Sequence, residues 1–187
     1  MLIGIFSAFG ATLAWTYACS IWRTQTNLYK PIEINFLKNI IAFTIFSPVV
    51  LILKYSTNYK YFLILILSGI IGIGIGDTFY LKSLNLIGTR KTLSIEALSP
   101  LIAAIAGNLF LDENLNLNAW IGIVIVTGAL VKIIKKKSYL LDKDSNLILN
   151  DNSLDKYIYS FLSVFCAVIA ALLSRFVFLE SDLAPIF

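Results

Sequence analysis

Long apolar runs separated by short polar stretches dominate the chain. A membrane-crossing helix needs roughly 20 apolar residues, and six segments reach or approach that length. They cover residues 2–22, 33–53, 61–84, 92–111, 119–134 and 157–179. Strands of a membrane barrel would instead alternate apolar and polar residues over about ten positions. The pattern therefore predicts an all-α fold, a polytopic bundle of membrane helices.

The spacing of these segments predicts how the chain is organised. Short links join the first five, which makes sequential helices antiparallel neighbours. A polar stretch, residues 135–156, then marks the one plausible domain boundary. The octapeptides SAFGATLA (7–14) and SVFCAVIA (163–170) share Ser, Phe and two Ala, as expected if both open a repeat. We predict a five-helix unit in 1–134, a linker loop in 135–156 and the first helix of a second unit in 157–187.

Composition supports a membrane location. Hydrophobic residues make up 58% of the chain and charged residues 14%, against about 25% charged residues in soluble domains. The mean hydropathy is +0.83. We expect a multi-pass integral protein of the plasma, or inner, membrane, with the lipid bilayer as its main partner. The opening MLIGIF has no basic region or cleavage site, so the first helix is predicted to be an uncleaved anchor.

The net charge of +4 is carried by the loops. It therefore indicates how the protein is oriented in the membrane and does not favour nucleic-acid binding. Loops and helix ends after the first, third and fifth segments hold twelve of the 15 Lys and Arg residues. The opposite side holds Lys54, Lys60 and Arg175. The positive-inside rule then places 135–156 in the cytoplasm and the N-terminus outside.

Little in the sequence favours an enzyme. The chain has no His, which removes the commonest general base and metal ligand. Cys19 and Cys166 both fall in apolar segments and are interpreted as small core residues rather than as a disulfide or a metal site. No phosphate-binding loop is present. We therefore predict no catalytic residue, no metal and no cofactor.

Two acidic residues, Asp77 and Glu96, fall inside apolar segments. An unpaired charge there is costly, about 2.5–3.5 kcal/mol for an Asp at the centre of a membrane helix. One hypothesis is structural pairing with Lys82, Arg90 or Lys91. The other is a polar pocket wall or a proton site, and both hypotheses stay open. We expect the purified chain to be an oligomer or poorly stable, and Asp77→Asn to stabilise any monomer.

Glycines and a proline suggest how these helices pack. Gly69, Gly72 and Gly76 share a helix face that permits close approach. We expect segments 61–84 and 92–111 to be antiparallel and to touch through this face or through the Ala103/Gly107 face. Pro100 should kink segment 92–111, because proline removes a backbone hydrogen bond. The run GIGIG is not a dinucleotide loop, since no strand precedes it. The pattern Gly74-Ile75-Gly76-Asp77 matches intramembrane aspartyl proteases, but their companion Tyr-Asp and Pro-Ala-Leu motifs are absent.

The chain resembles the EamA domain of the drug/metabolite transporter superfamily over residues 1–134. Trp15 fits the tryptophan common in the first helix, and Lys38 stands where an Arg usually opens the second. Residues 157–180 resemble the first helix of a second repeat. The other matching motifs are Asp77-x-x-Tyr80, Ser83-Leu84, Ile87-Gly88, Leu98-Ser99-Pro100-Leu101, Asp112-Glu113, and Gly122 with Gly128.

The resemblance implies a secondary transporter of small metabolites, amino acids or drugs, built from two inverted five-helix repeats around a central cavity. This chain would then be truncated after its sixth helix, with the pocket half missing. The alternative function is a non-transporting fragment, or a helical subunit that needs a partner chain, and a homo-oligomer could rebuild the missing wall. The resemblance also implies a cytoplasmic N-terminus, the opposite of the charge-based prediction. The substrate-pocket candidates are Trp15, Lys38, Asn39, Asp77, Tyr80, Ser94, Glu96, Ser99 and Pro100.

Overall fold

Helices make up the regular structure of the described part of the chain. The computed structural model describes residues 2–52, 58–111, 115–137 and 155–181. The described ranges contain no strand, which confirms the all-α class. A π-helical segment, Ile70–Gly76, joins the third helix to the fourth without a break. The α-helices are α1 (Leu2–Gln25), α2 (Pro31–Ile52), α3 (Tyr59–Gly69), α4 (Asp77–Glu96), α5 (Ser99–Phe110), α6 (Leu117–Lys137) and α7 (Asp155–Glu180).

Four predicted segments correspond to single helices. Segments 2–22, 33–53, 119–134 and 157–179 are found as α1, α2, α6 and α7, and their ends differ by no more than three residues. The differences arise because hydropathy detects only the apolar part of a helix, whereas the backbone continues into polar residues such as Thr24 and Gln25. The first three residues of the predicted linker, 135–137, are likewise helical. Residues 138–154 lie outside the described part of the chain, as do Asp112 and Glu113.

The end of segment 61–84 and the start of segment 92–111 form a helical hairpin. The hydropathy pattern did not predict where this hairpin begins and ends. The chain is helical from Tyr59 to Glu96, but it turns back at Gly88, where φ is 80° and ψ is 162°. The side chains of Ser83 and Thr92 are hydrogen-bonded at 2.8 Å, whereas nine residues of straight helix would separate them by about 13.5 Å. The two arms, 77–87 and 89–96, therefore run antiparallel. We call residues 77–96 the α4 hairpin.

The predicted kink at Pro100 is a complete helix end. The second arm of the α4 hairpin stops at Glu96, and α5 begins at Ser99 with Pro100 in its first turn. Proline is favoured at the first position of a helix, where its missing N–H has no intrahelical partner to lose. Segment 92–111 is consequently divided between the hairpin and α5.

α7 lies along α3, the π segment and the α4 hairpin. A Cβ added at Gly72 would lie 2.7 Å from the Cβ of Ala170, and one added at Gly76 would lie 3.0 Å from the Cβ of Cys166. Of the two predicted contact faces, the glycine face therefore packs on α7 and not on segment 92–111. Small residues at matching heights on α7 allow the closer approach there. Gly69 takes no part, since a Cβ added to it would meet nothing within 4 Å.

Two apolar clusters surround the hairpin. Cys19, Tyr80, Leu81 and Leu84 form the first, where α1 meets the first arm. The second arm meets α7 through Ile95, Val164 and Val168, and Ala103 and Ala106 of α5 pack against this second cluster. α1 and α7 thus cover opposite sides of the hairpin.

Hydrogen bonds show which helix ends lie together. Arg23 Nη1 donates to the carbonyl of Asn85 at 3.0 Å, which ties the end of α1 to the Gly88 turn. At the other end of the bundle, the Tyr61 hydroxyl donates to the carbonyl of Glu180 at 3.2 Å. The Gly88 turn and the start of α7 therefore lie at one end, and the start of α3 and the end of α7 at the other. This arrangement agrees with the sorting of charges into two sides.

Large apolar side chains cover much of the outer surface. Phe6, Phe9, Phe43 and Phe46 are each more than 60% exposed, which would be costly in water at about 25 cal/mol per Å². Two described stretches are long and apolar enough to cross a bilayer, Tyr59–Glu96 and Lys156–Glu180. The first of them contains the turn at Gly88. A surface of this kind suits lipid rather than water.

Candidate functional site

An ion pair joins α2 to the start of the α4 hairpin. Lys38 Nζ bonds Asp77 Oδ2, and the two side chains are 23% and 27% exposed. Lys38 Nζ also lies 5.4 Å from the ring centroid of Trp22, so an aromatic face contacts the same cation. The predicted structural partners of Asp77 on α4 itself were wrong. The true partner comes from α2, where Lys38 occupies the position that the resemblance had marked.

Aromatic side chains from α1 and α4 lie beside this pair. The ring of Trp15 lies 5.4 Å from that of Trp22 and 5.8 Å from that of Tyr80, measured between centroids. The Tyr80 hydroxyl and Cys19 Sγ are 2.7 Å apart, and both residues are buried. Burial of a phenol hydroxyl requires a hydrogen-bond partner, and Cys19 supplies it. Cys19 is thus a core residue with a specific polar contact.

Glu96 joins the same region through the reversal at Gly88. Its carboxylate lies within electrostatic range of the Asp77 carboxylate and of the Tyr80 side chain. Ser163 of α7 donates to Glu96 Oε1 at 3.5 Å, a long contact. The antiparallel arms therefore bring two acids together that are well separated along the chain. Within the part of the chain that the structure describes, the partner of Asp77 is a cation and that of Glu96 is a hydroxyl.

Asn35 was not among the residues predicted from the sequence. Its side chain donates hydrogen bonds to the π segment that precedes Asp77. Its Nδ2 donates to the carbonyls of Ile73 and Gly74 at 2.8 and 2.9 Å and lies 3.0 Å from Thr78 Oγ1. In the π segment the N–H of Asp77 bonds a carbonyl five residues back rather than four, so nearby carbonyls lose their usual donors. Asn35 satisfies them from α2. The only sequence signal was an amide in an otherwise apolar helix.

The remaining predicted residues are divided between this region and others. Asn39 donates to Asn35 Oδ1 at 3.2 Å and so belongs to the same network. Ser94 is buried, and its hydroxyl bonds the Arg90 carbonyl of its own helix at 2.8 Å. Ser99 and Pro100 open α5, and Pro100 is exposed. The structure thus brings Trp15, Lys38, Asn39, Asp77, Tyr80 and Glu96 into one connected group.

A groove of about 530 Å³ opens beside the ion pair, between α1 and α2. Lys38 and Trp22 form part of its wall, so the groove and the charged group share residues. Its size falls in the range of small-molecule sites, about 300–1,000 Å³. Within the described residues no cluster of three or more Cys, Asp or Glu side chains could hold a metal ion. The groove is lined by Ile21, Trp22, Gln25, Tyr29, Glu33, Ile34, Leu37, Lys38 and Ile41.

Helices with apolar outer surfaces, two of the described stretches being long and apolar enough to cross a bilayer, are the features of a helical integral membrane protein. The chain belongs to the EamA-like transporter family, whose sequence profile matches residues 2–134. The match covers α1 to α6 up to its last turn, and α7 lies beyond it. No curated protein and no solved structure matches the chain.

Proposed function

We propose that the chain is a secondary transporter unit that moves small metabolites, amino acids or drugs across the plasma, or inner, membrane as a multi-pass protein. The observation that supports this most directly is the ion pair between Lys38 and Asp77 beside the α1–α2 groove. Charged groups inside membrane helices are expensive and commonly mark solute or proton pathways. The family adds that its members are transporters.

The connected group divides into two proposed roles. Trp15, Trp22 and Tyr80 offer aromatic faces that hold apolar or cationic parts of a solute. Lys38 and Asp77 form the polar end of the proposed binding site. A charged solute would bind there by replacing one member of the ion pair as the partner of the other. Glu96 is the second acid that could carry a coupling proton. The sequence contains no phosphate-binding loop, so we expect an ion or solute gradient to drive transport.

Transport assays on reconstituted protein test this proposal. The chain is placed in liposomes with an imposed pH gradient and offered a panel of radiolabelled amino acids, small organic acids and cationic dyes. We expect at least one compound to accumulate above protein-free liposomes, and Asp77→Asn to abolish that accumulation. Lys60→Gln is the matched control, because Lys60 is an exposed charge at the start of α3.

A panel in which nothing accumulates, with protein that elutes as a single folded species, would overturn the transporter proposal. The alternative is then a helical membrane subunit that works with a partner chain. One observation favours it: a second groove of about 510 Å³ runs between α2, α3 and the π segment. Gly69 and Gly74 border it, and a Cβ added to either would meet nothing within 4 Å. Small residues on an open face permit another helix to approach closely.

A further inference from the structure

Cations and tyrosines gather where α7 begins, at the end of the bundle that carries the Gly88 turn. Lys82 Nζ lies 4.0 Å from the ring centroid of Tyr159, and Lys91 Nζ lies 5.7 Å from that of Tyr157. Arg90 and Lys156 add two more positive charges to the same end, and Asp155 one negative charge. We call the group formed by Lys82, Arg90, Lys91, Lys156, Tyr157 and Tyr159 the basic rim.

The hairpin fixes the geometry of this rim. Ser160 of α7 is hydrogen-bonded to Ser83, which is in turn bonded to Thr92 on the other arm. The first turns of α7 therefore pack against the hairpin, in contact with its first arm through Ser160. Lys82 approaches α7 from the first arm and Lys91 from the second.

The contacts with tyrosine hold these lysines without using up their hydrogen-bonding capacity. An ammonium group carries three N–H donors, and a ring face engages the charge without supplying an oxygen acceptor. Tyr157 and Tyr159 are themselves residues of a type that concentrates at the boundary between hydrocarbon and headgroups. Lys82 and Lys91 thus offer N–H donors beside interfacial aromatics at the end of a membrane helix.

We propose that the basic rim binds the headgroup of an anionic phospholipid from the surrounding leaflet. Basic sites between membrane helices bind such headgroups, and each Lys or Arg near an anionic surface contributes about 1 kcal/mol. Lys82 and Lys91, which contact different sides of α7, would each donate hydrogen bonds to headgroup phosphate oxygens, and the acyl chains would lie along the apolar outer surface of α7, where Ile158, Phe161 and Phe165 are exposed. This inference is independent of transport.

Lipid titration of the full chain in detergent tests the proposal. Phosphatidylglycerol, phosphatidylcholine and free inorganic phosphate are added separately, and retained lipid is counted by native mass spectrometry alongside the melting temperature. Lys82→Gln/Lys91→Gln should weaken phosphatidylglycerol binding on the order of thirtyfold, at about 1 kcal/mol per lysine and 1.4 kcal/mol per factor of ten. Lys82→Arg/Lys91→Arg should retain binding, because it keeps the charge and the ring contact.

The matched control is Lys30→Gln/Lys132→Gln, which also removes two charges from exposed positions. We expect it to bind phosphatidylglycerol as the parent chain does, and phosphatidylcholine and phosphate to leave the melting temperature of every variant unchanged. Equal weakening by the control would mean that net charge alone acts and would overturn the proposal. So would full binding by Lys82→Gln/Lys91→Gln, loss of binding in the arginine variant, or an equal response to free phosphate.

Discussion

At the scale of single residues, the cost of placing a charge among apolar helices explains the contacts of the site. Asp77 and Lys38 each need a counter-ion, and each has the other. Sequence analysis identified both residues, but the candidate partners it offered for Asp77 under the hypothesis of structural pairing lie on the same part of the chain. Proximity along the sequence is a poor guide here, because the contact joins α2 to α4 and depends on how the helices pack. Asn35 was missed for the same reason, since its acceptors exist only once the π segment has formed.

The first prediction concerns this ion pair. Asp77→Asn leaves the Lys38 ammonium without its counter-ion and should lower the free energy of unfolding by about 1–3 kcal/mol. This reverses the stabilisation expected for an acid without a partner. Unfolding by SDS titration measures the change.

A double-mutant cycle distinguishes pairing from packing. Lys38→Met/Asp77→Asn removes both charges and should recover most of the lost stability, because neither charge is then left alone. If Asp77→Asn proves stabilising, or if the two changes are additive, the carboxylate does not depend on Lys38.

The second prediction concerns Asn35. Asn35→Leu removes the amide that serves the Ile73 and Gly74 carbonyls, and the loss of these part-buried hydrogen bonds should cost about 1–2 kcal/mol, the Gly74 carbonyl keeping its bond from Thr78 Oγ1. Asn39→Leu is the matched control and should cost less, since Asn39 donates only to Asn35. SDS titration of both variants gives the comparison, and equal losses would contradict the role assigned to Asn35.

At the scale of helices, the apolar pattern predicted most elements but not their junctions. Hydropathy located α1, α2, α6 and α7, because each is a continuous apolar run. It could not resolve the turn at Gly88 or the helix end before Ser99, where the backbone changes direction within two or three residues. The sequence pattern also could not predict that the glycine face packs on α7. This contact depends on small residues at matching heights on two helices far apart in sequence.

The third prediction tests that helix contact. Gly72→Ala would place a Cβ 2.7 Å from that of Ala170 and should destabilise by about 1–3 kcal/mol through overpacking. Ala170→Gly in the same chain should recover part of this loss. Gly69→Ala is the control, because its added Cβ meets nothing within 4 Å. If Gly72→Ala melts at the same temperature as Gly69→Ala in detergent, α7 does not pack as described.

At the scale of the whole molecule, the two ends of the bundle differ in charge. Arg23, Arg90, Lys91 and Lys156 lie at the end with the Gly88 turn, whereas Lys60 lies at the other. Lys and Arg near helix ends favour the cytoplasmic face. The structure thus gives the charge sorting a physical basis, while the direction of insertion stays a prediction.

The fourth prediction concerns that direction. A cysteine placed at Ser145 should stay unlabelled by an impermeant thiol reagent in intact cells and react after the cells are opened. Tyr59→Cys is the matched variant at the opposite end, where Tyr59 is 71% exposed, and it should react from outside. The opposite labelling pattern would show that the N-terminus is cytoplasmic.

The π segment also determines where this helix can change its length. Each turn closed by a bond to the fifth residue back contains one residue more than an α-helical turn. Deletion of one residue from Ile70–Gly76 would convert such a turn into an α-helical turn. The side chains of the flanking helices would then keep their orientation relative to the rest of the bundle. Loss of a residue from the regular part of α3 would instead rotate everything after it by about 100° and carry Asp77 away from Lys38. Deletions that preserve the ion pair should therefore be confined to this segment.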